Sequence, residues 1–528
     1  MKFFRIAMVL AIALCLAGSV YAETQSVKVS GDLTVRGIWR GDYDYRSATP
    51  ASDPARTGMT RDTGGMNGVA SPGAGGGTIA GGYYGASQSW WMSQAEVQVD
   101  AELTDNVSTV IRILNQRDWN VQNKNIVAGQ DLRPNGLGGY VPQTDEFEVQ
   151  LDLAYVTLKN FVYCPLTVTI GRQDLWFGKG FIIGSNQINN NWIDLQGANN
   201  NILHAPEYTS MNAFDSIKAV LDYDPWTITG VWANIWNNTV GEADGIDLWG
   251  INVGYKFDCY KAEAEAYWFY KRDNSIEQWR TNMWGNSNVH TFGIRGSMDP
   301  IECVTLSGEV AVQAGAYTAN TLQLATRERA AWALDVAAEY RGLMDCWAWK
   351  PKAGIEYILY SGNKDDENLA NNNTNAYTGW DRMFRGKYDS AIREWVGTYY
   401  ASYDYGPRSN SLPSCADASF TNQSQLIFSG SLQPMDCLTL KGNWNLFWTV
   451  EDYVTWPNVP AQQAGSFSQG QKRGGLIGNE LDVQAIWDYT EDVSFGLLMG
   501  WFMPNGDVYY AGNNDTASDI VGTVKVSF

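Results

Sequence analysis

The sequence predicts an all-β fold, a transmembrane antiparallel β-barrel of about eighteen strands with short periplasmic turns and long extracellular loops. Three observations carry this. An export signal is followed by no apolar helix, residues alternate in period two from Ser26 to the end, and short and long connections take turns along the chain.

Lys2 and Arg5 form a basic region, Ile6 to Ala17 an apolar one, and Val20-Tyr21-Ala22 places small residues at the cleavage-determining positions. This pattern is a secretory signal over residues 1–22, cut before Glu23, with one barrel domain over 23–528. A lipoprotein signal at Cys15 is excluded, because Leu14 stands where a small residue is needed.

The signal holds two of the 37 basic residues and none of the 57 acidic ones. The net charge of -20 therefore moves to -22 on cleavage, which argues against nucleic acid as a partner. No later stretch of about 18 apolar residues suggests a membrane helix. With 23 Trp, 28 Tyr and 53 Gly, the composition suits aromatic girdles at two membrane interfaces.

The segment from Trp91 to Leu103 alternates cleanly, with Trp91, Val97 and Val99 on one side and Gln94, Glu96 and Asp100 on the other. Similar runs predict strands at 26–40, 88–103, 106–118, 146–160, 165–175, 215–223, 226–236, 246–257, 260–271, 288–298, 302–314, 329–341, 347–361, 424–433, 438–450, 479–489, 493–503 and 516–528. Turn chemistry at Thr104-Asp105, Asp224-Pro225, Asp258-Cys259, Asp299-Pro300 and Thr490-Glu491 marks short connections. Long ones run over 41–87, 119–145, 176–214, 362–423 and 451–478. A soluble sandwich has no reason to put every long loop at one end, whereas an outer-membrane barrel does. Several strands have the length needed to cross at a tilt, about 9–11 residues. The alternating terminal run Val524 to Phe528 resembles the assembly signal of bacterial outer-membrane proteins.

If the apolar set faces lipid, the opposite parity lines the lumen. The first strand then directs Lys28, Asp32, Arg36 and Arg40 inward. Glu96, Asp100, Glu102, Arg112, Glu148 and Asp152 follow from the next three. Lys261, Glu263, Glu265 and Lys271 come from the ninth. Later strands add Arg295, Glu309, Asp335, Glu339, Arg341, Lys350, Lys352, Glu356, Lys441, Glu480, Asp482 and Lys525. Singly, such charges brace neighbouring strands. As a mixed-sign set they predict a polar lumen acting on charged or hydrophilic solutes. Barrels of about 16–18 strands leave an aqueous channel unless loops enter it. The Asn-rich loop 176–214, with Arg172, Gln173 and Lys179 near its start, is the candidate constriction.

The sharpest motif is Gly171-Arg172-Gln173-Asp174-Leu175-Trp176-Phe177-Gly178-Lys179-Gly180-Phe181-Ile182-Ile183-Gly184. Its Gly-Arg-Gln strand end and Gly-aromatic-Ile-Gly turn resemble the alginate-export-like outer-membrane proteins. That resemblance implies an eighteen-stranded porin, some members of which pass anionic polysaccharide through an arginine-lined pore. Two features depart from this. The inward set has at least as many acidic as basic residues, and Arg172 shares parity with the lipid-facing Val168 and Ile170. Arg172 therefore points outward at the rim unless a bulge near Gly171 turns it.

Other chemistry finds little support. Cys164, Cys259, Cys303, Cys346 and Cys437 each fall at a periplasmic turn, and Cys415 in an external loop. Equivalent turns lie about 9.5 Å apart. Disulfides need Cα atoms within about 7 Å, so free thiols, or contacts with a periplasmic protein partner, are expected. No Cys-x-x-Cys spacing or Gly-x-Ser-x-Gly elbow occurs, and His204 and His290 are far apart. No enzyme, cofactor or metal is expected; acidic loops such as Lys364 to Glu367 and Asn513 to Asp515 lack calcium-loop spacing.

The sequence thus predicts a porin-like outer-membrane channel for diffusion of hydrophilic or charged solutes, with lipids and small solutes or polysaccharide as partners. Two alternatives remain: a barrel sheathing a periplasmic multihaem cytochrome, and a polysaccharide secretion pore.

Overall fold

The computed structural model describes residues 26–41, 88–119, 126–127, 130–131, 149–186, 205–236, 245–274, 287–318, 326–341, 347–363, 376–395, 420–454, 472–505 and 515–528. The expected signal, Glu148, His204, Cys346 and Cys415 lie outside these residues.

A strand that crosses lipid must place each backbone N–H and C=O against a neighbour. The chain meets this with one 18-stranded sheet. Its strands are β1 (Ser26–Gly41), β2 (Gln88–Thr104), β3 (Val107–Asp118), β4 (Gln150–Leu158), β5 (Leu166–Gln173), β6 (Phe214–Tyr223), β7 (Trp226–Trp236), β8 (Ile246–Lys256) and β9 (Glu263–Asp273). They continue as β10 (Ser287–Ile301), β11 (Val304–Thr318), β12 (Thr326–Tyr340), β13 (Lys352–Tyr360), β14 (Gln423–Met435), β15 (Leu438–Trp448), β16 (Leu476–Asp488), β17 (Val493–Pro504) and β18 (Ala517–Ser527). Consecutive strands pair antiparallel. β1 also pairs with β18, from Asp32 opposite Ser527 to Gly41 opposite Ser518. Phe528 extends the seam, exchanging backbone hydrogen bonds with Gly31 at 2.9 Å each way.

Each expected strand corresponds to one observed strand, and the five longest connections, 42–87, 119–149, 174–213, 361–422 and 449–475, all follow odd strands. Two of the strand starts that differ move an expected wall residue off the sheet. Lys261 and Lys350 have φ of 45° and 44°, values that no extended strand holds. Both were expected on the wall and instead lie in periplasmic turns, where Lys261 pairs with Asp299 at 3.7 Å and Lys350 with Asp436 at 3.9 Å. Cys164, Cys259, Cys303 and Cys437 are free thiols near these short turns.

The outer face is a belt of exposed apolar residues, including Leu151, Ile251, Ile294, Val312, Trp332 and Leu481. Aromatic residues flank it. Trp226, Tyr255 and Phe257 pile together near the periplasmic turns, and Trp249 stacks on Tyr270 toward the loops. Such exposure is costly in water and favourable in a bilayer.

The inner face differs from the expectation of a uniformly polar wall. Toward the loops, inward positions of β7–β13 carry apolar residues: Val231, Ala233, Leu248, Phe269, Val289 and Ile358 are buried. They form one cluster with Leu175, Phe181, Ile182, Ile183, Trp380, Met383 and Phe384 from the connections. Part of the lumen is thus a dry core, because loop segments fold back onto the wall.

Ile294 stands at the middle of β10 and points outward. Replacing it by arginine, Ile294→Arg, is expected to destabilise the folded barrel by about 2–4 kcal/mol. Equilibrium unfolding in lipid vesicles measures this, and an unchanged midpoint would contradict the lipid-facing assignment.

Candidate functional site

Three segments narrow the lumen. Residues 174–186 follow β5, residues 205–213 precede β6, and residues 376–395 lie between β13 and β14. The first and third join through backbone hydrogen bonds. The Gly184 N–H donates to the Phe384 carbonyl (2.7 Å), the Phe384 N–H to that of Ile182 (3.0 Å), and the Gly386 N–H to that of Gly180 (2.9 Å).

The wall holds segment 376–395 by buried charges. Asp381 accepts from Lys271 at 2.6 Å and lies 3.9 Å from Arg329, while its backbone N–H donates to Gln313 at 2.8 Å. Lys387 sits among Glu356, Asp335 (3.5 Å) and Asp389 (3.2 Å). Glu480 of β16 accepts the backbone N–H groups of Ile392 (2.6 Å) and Arg393 (2.7 Å), and Asp482 that of Ala391 (3.3 Å). Segment 376–395 is therefore a strap fixed at β9–β13 and again at β16. The strap's own Arg385 is fully buried. It pairs with Asp389 at 3.0 Å and lies over Phe181, Tyr360 and Phe420 at 5.3, 5.4 and 4.9 Å from their ring centres. Removing one partner from such a pair leaves an uncompensated buried charge.

The strap's own groups titrate accordingly. Burial pushes the Asp381 carboxyl up, yet Lys271 and Arg329 outweigh it and hold it at about 2. Burial would discharge Lys387, but Asp389, Asp335 and Glu356 hold its pKa above the usual lysine range. Burial and the neighbouring Asp389 carboxylate push Glu394 up to about 8, against the pull of Arg385.

Segment 205–213 docks on β1–β3. Glu207 pairs with Arg40, the Arg36 guanidinium lies 4.7 Å over the Tyr208 ring, and Gln116 donates to Thr209 at 2.9 Å.

Most sequence-predicted site residues point inward, but they divide into two groups. Arg40, Asp152, Glu309, Asp335, Glu480 and Asp482 are buried. Glu309 accepts from the Tyr267 hydroxyl at 2.7 Å. A bulge at Asp152 lets it face Arg112 at 2.5 Å; Glu96 and Asp174 each lie 3.8 Å from Arg112. Arg36 bonds Gln94, and Arg295 bridges Glu263 (2.9 Å) and Glu265. Lys179 lies 3.6 Å from Glu356. Toward the periplasm, Lys28, Glu339, Lys352, Lys441 and Lys525 stay exposed on the inward parity, with Asp32, Asp100 and Glu263 among them. Glu102 bonds Ser26, and Arg341 lies 3.5 Å from Asp299.

The Gly171–Gly184 motif builds the inward turn. No bulge interrupts β4–β5, so Arg172 points outward and lies 3.7 Å from Asp215. Gly171 (φ 128°) lies so close to β4 that a Cβ would come within 2.2 Å of the Ala154 carbonyl oxygen. Gln173 is buried and donates to the Thr169 and Ser216 carbonyls at 3.2 Å each. Gly178 covers Arg295, and Gly184 meets the strap. Sequence reasoning missed the strap and Arg327 and Arg329. The two arginines share parity with Asp335, and that signal was available.

The alginate export family matches residues 81–523. The chain belongs to the alginate export family. It is an outer-membrane, porin-like barrel. Among solved structures, Pseudomonas aeruginosa OccK2 (OpdF) is 8% identical over 96% of this chain and 98% of that one, with a TM-score of 0.48. Acinetobacter baumannii OccAB4 is 8% identical over 96% of this chain and 100% of that one, with a TM-score of 0.48. OccK2 in complex with glucuronate is 7% identical over 96% and 99%, with a TM-score of 0.47. No curated protein sequence matches.

A carboxyl held at about 8 against an ordinary 4.5 favours the docked strap below pH 4.5, and that contribution is lost as pH rises through 8. Hydrogen exchange of amides 389–394, corrected for intrinsic rate, is expected to quicken from pH 5 to 9 in the wild type, and Glu394→Gln is expected to flatten the change. Equal pH dependence in both proteins would contradict this role.

Proposed function

We propose that the chain is a passive diffusion pore for small hydrophilic or charged solutes, narrowed by the strap 376–395 and its neighbours. The observation that carries this reading is the inner wall below the strap. It presents exposed side chains of both signs, among them Lys28, Glu339, Lys352 and Lys441, inside a closed wall. Selectivity arises where the strap brings buried ion pairs beside the path, since charges act strongly where water is scarce.

The polysaccharide reading draws support from the family's description alone. Arg295, Lys271, Arg329 and Lys387 are each neutralised by carboxylates, which does not suit a free basic path for a polyanion. A cytochrome sheath would need an empty bore, and the dry core of loop and wall residues occupies part of it. Bilayer lipids would contact the apolar belt. Cys164 and Cys259, exposed at the turns, lie on the surface that a periplasmic protein would meet.

Purified, folded protein in planar bilayers is expected to give discrete conductance steps. Glu480→Ala leaves the Ile392 and Arg393 N–H groups without their acceptor, so larger steps are expected as the strap loosens. Absence of current from both proteins would overturn the channel reading.

A further inference from the structure

Trp176 is 56% exposed although it lies inside the barrel, on the inward turn between β5 and β6. Its neighbours fix it there. Phe177 packs edge-on against the inward Phe269 at 5.0 Å, Gly178 covers Arg295, and Lys179 reaches Glu356. The indole rests on a glycine floor, since a Cβ at Gly180, Gly184 or Gly386 would come within 2.5, 2.8 or 2.7 Å of the ring. The indole N–H is committed to the Gly178 carbonyl at 3.0 Å. One ring face is thus seated on backbone, and much of the side chain faces the lumen.

That surface borders a cavity of about 320 Å³ between the turn and the inner wall of β6–β9. Ligand pockets start at about 300 Å³. Lys218, Thr229, Asn252 and Glu265 line it with Trp176. Lys218 has no ion pair among the described residues. Asn252 donates to Glu265 at 3.1 Å, while its own carbonyl oxygen is buried without a partner. Buried polar atoms normally find partners, so an unfilled acceptor beside an open aromatic surface points to a ligand with hydroxyl donors.

A pyranose ring has this chemistry: an apolar face of axial C–H groups and a rim of hydroxyls that donate and accept. We propose that the cavity is a stacking subsite for one pyranose ring, its C–H face on Trp176 and its hydroxyl rim against Lys218, Thr229, Asn252 and Glu265. This deepens the diffusion-pore reading and rests on it for its place in transport. A solute sugar would pause here between the periplasmic vestibule and the strap. Gly180 and Gly184 of the sequence motif and Gly386 of the strap then have a shared task, which is to hold this ring flat.

Saturation-transfer NMR of methyl β-glucopyranoside with detergent-solubilised, folded protein tests the site without requiring conduction. Transfer is expected to be strongest to the axial hydrogens of one ring face. Trp176→Ala is expected to raise the dissociation constant about tenfold, and Trp176→Phe less than about threefold, because phenylalanine keeps an aromatic face. Asn252→Leu lies on the wall, outside the turn, and is expected to weaken binding as well, which separates loss of the site from collapse of the turn. Absence of transfer to the wild type, or equal affinity in all four proteins, overturns the proposal. In bilayers, cellobiose is expected to interrupt the wild-type current. Transfer without any current would sink the channel reading and leave the subsite standing, whereas current without transfer would sink the subsite alone.

Discussion

Hydrocarbon offers no partner to a backbone N–H or C=O, and this constraint governs the rest of the molecule. It forces the sheet to close on itself through β1 and β18. Closure fixes the alternation of side chains, so each strand supplies one face to lipid and one to the lumen. It also puts every connection at one rim or the other. The long connections are then free to fold back inside, where the wall supplies the polar partners that lipid withholds.

The strap is held by the same logic applied locally. A non-repetitive segment inside a barrel must satisfy its own backbone. Glu480 and Asp482 do this from the wall by accepting three consecutive N–H groups, and Gln313 and Arg329 serve the Gly379–Asp381 end. Apolar packing adds cohesion, with Phe181, Phe384 and Trp380 filling the space against inward residues of the wall. Wall and strap are therefore one packed unit, and the accessible bore is what this unit leaves open.

Much of the barrel was legible in the sequence, because period-two patterning and turn chemistry are local. Trp91 to Leu103 declares its faces without reference to any other strand. The turn lysines were misplaced for a local reason too: at Lys261 and Lys350 the alternation runs on while the backbone has already turned to positive φ. The lumen was less legible. Inward Leu248 and Phe269 are apolar where a wet wall would be polar, and only packing against residues such as Phe181 and Phe384, far away in sequence, explains them. Lys271 was expected inward, yet nothing in the sequence links it to Asp381. The motif at Gly171–Gly184 was recognisable as a motif, whereas its work as an inward turn depends on Gly386, which no spacing rule connects to it.

The seam between β1 and β18 also sets an order of events. Neighbouring pairs elsewhere join strands adjacent in sequence, so they can zip from local hairpins. The seam alone joins opposite ends of the sheet, and the loop that it closes is the whole barrel, the largest entropic step in the fold. Until it forms, β1 and β18 are open templates able to pair with other chains. The interval before closure is thus when the protein is most exposed to error, and the contact of Phe528 with Gly31 is the latch that ends it.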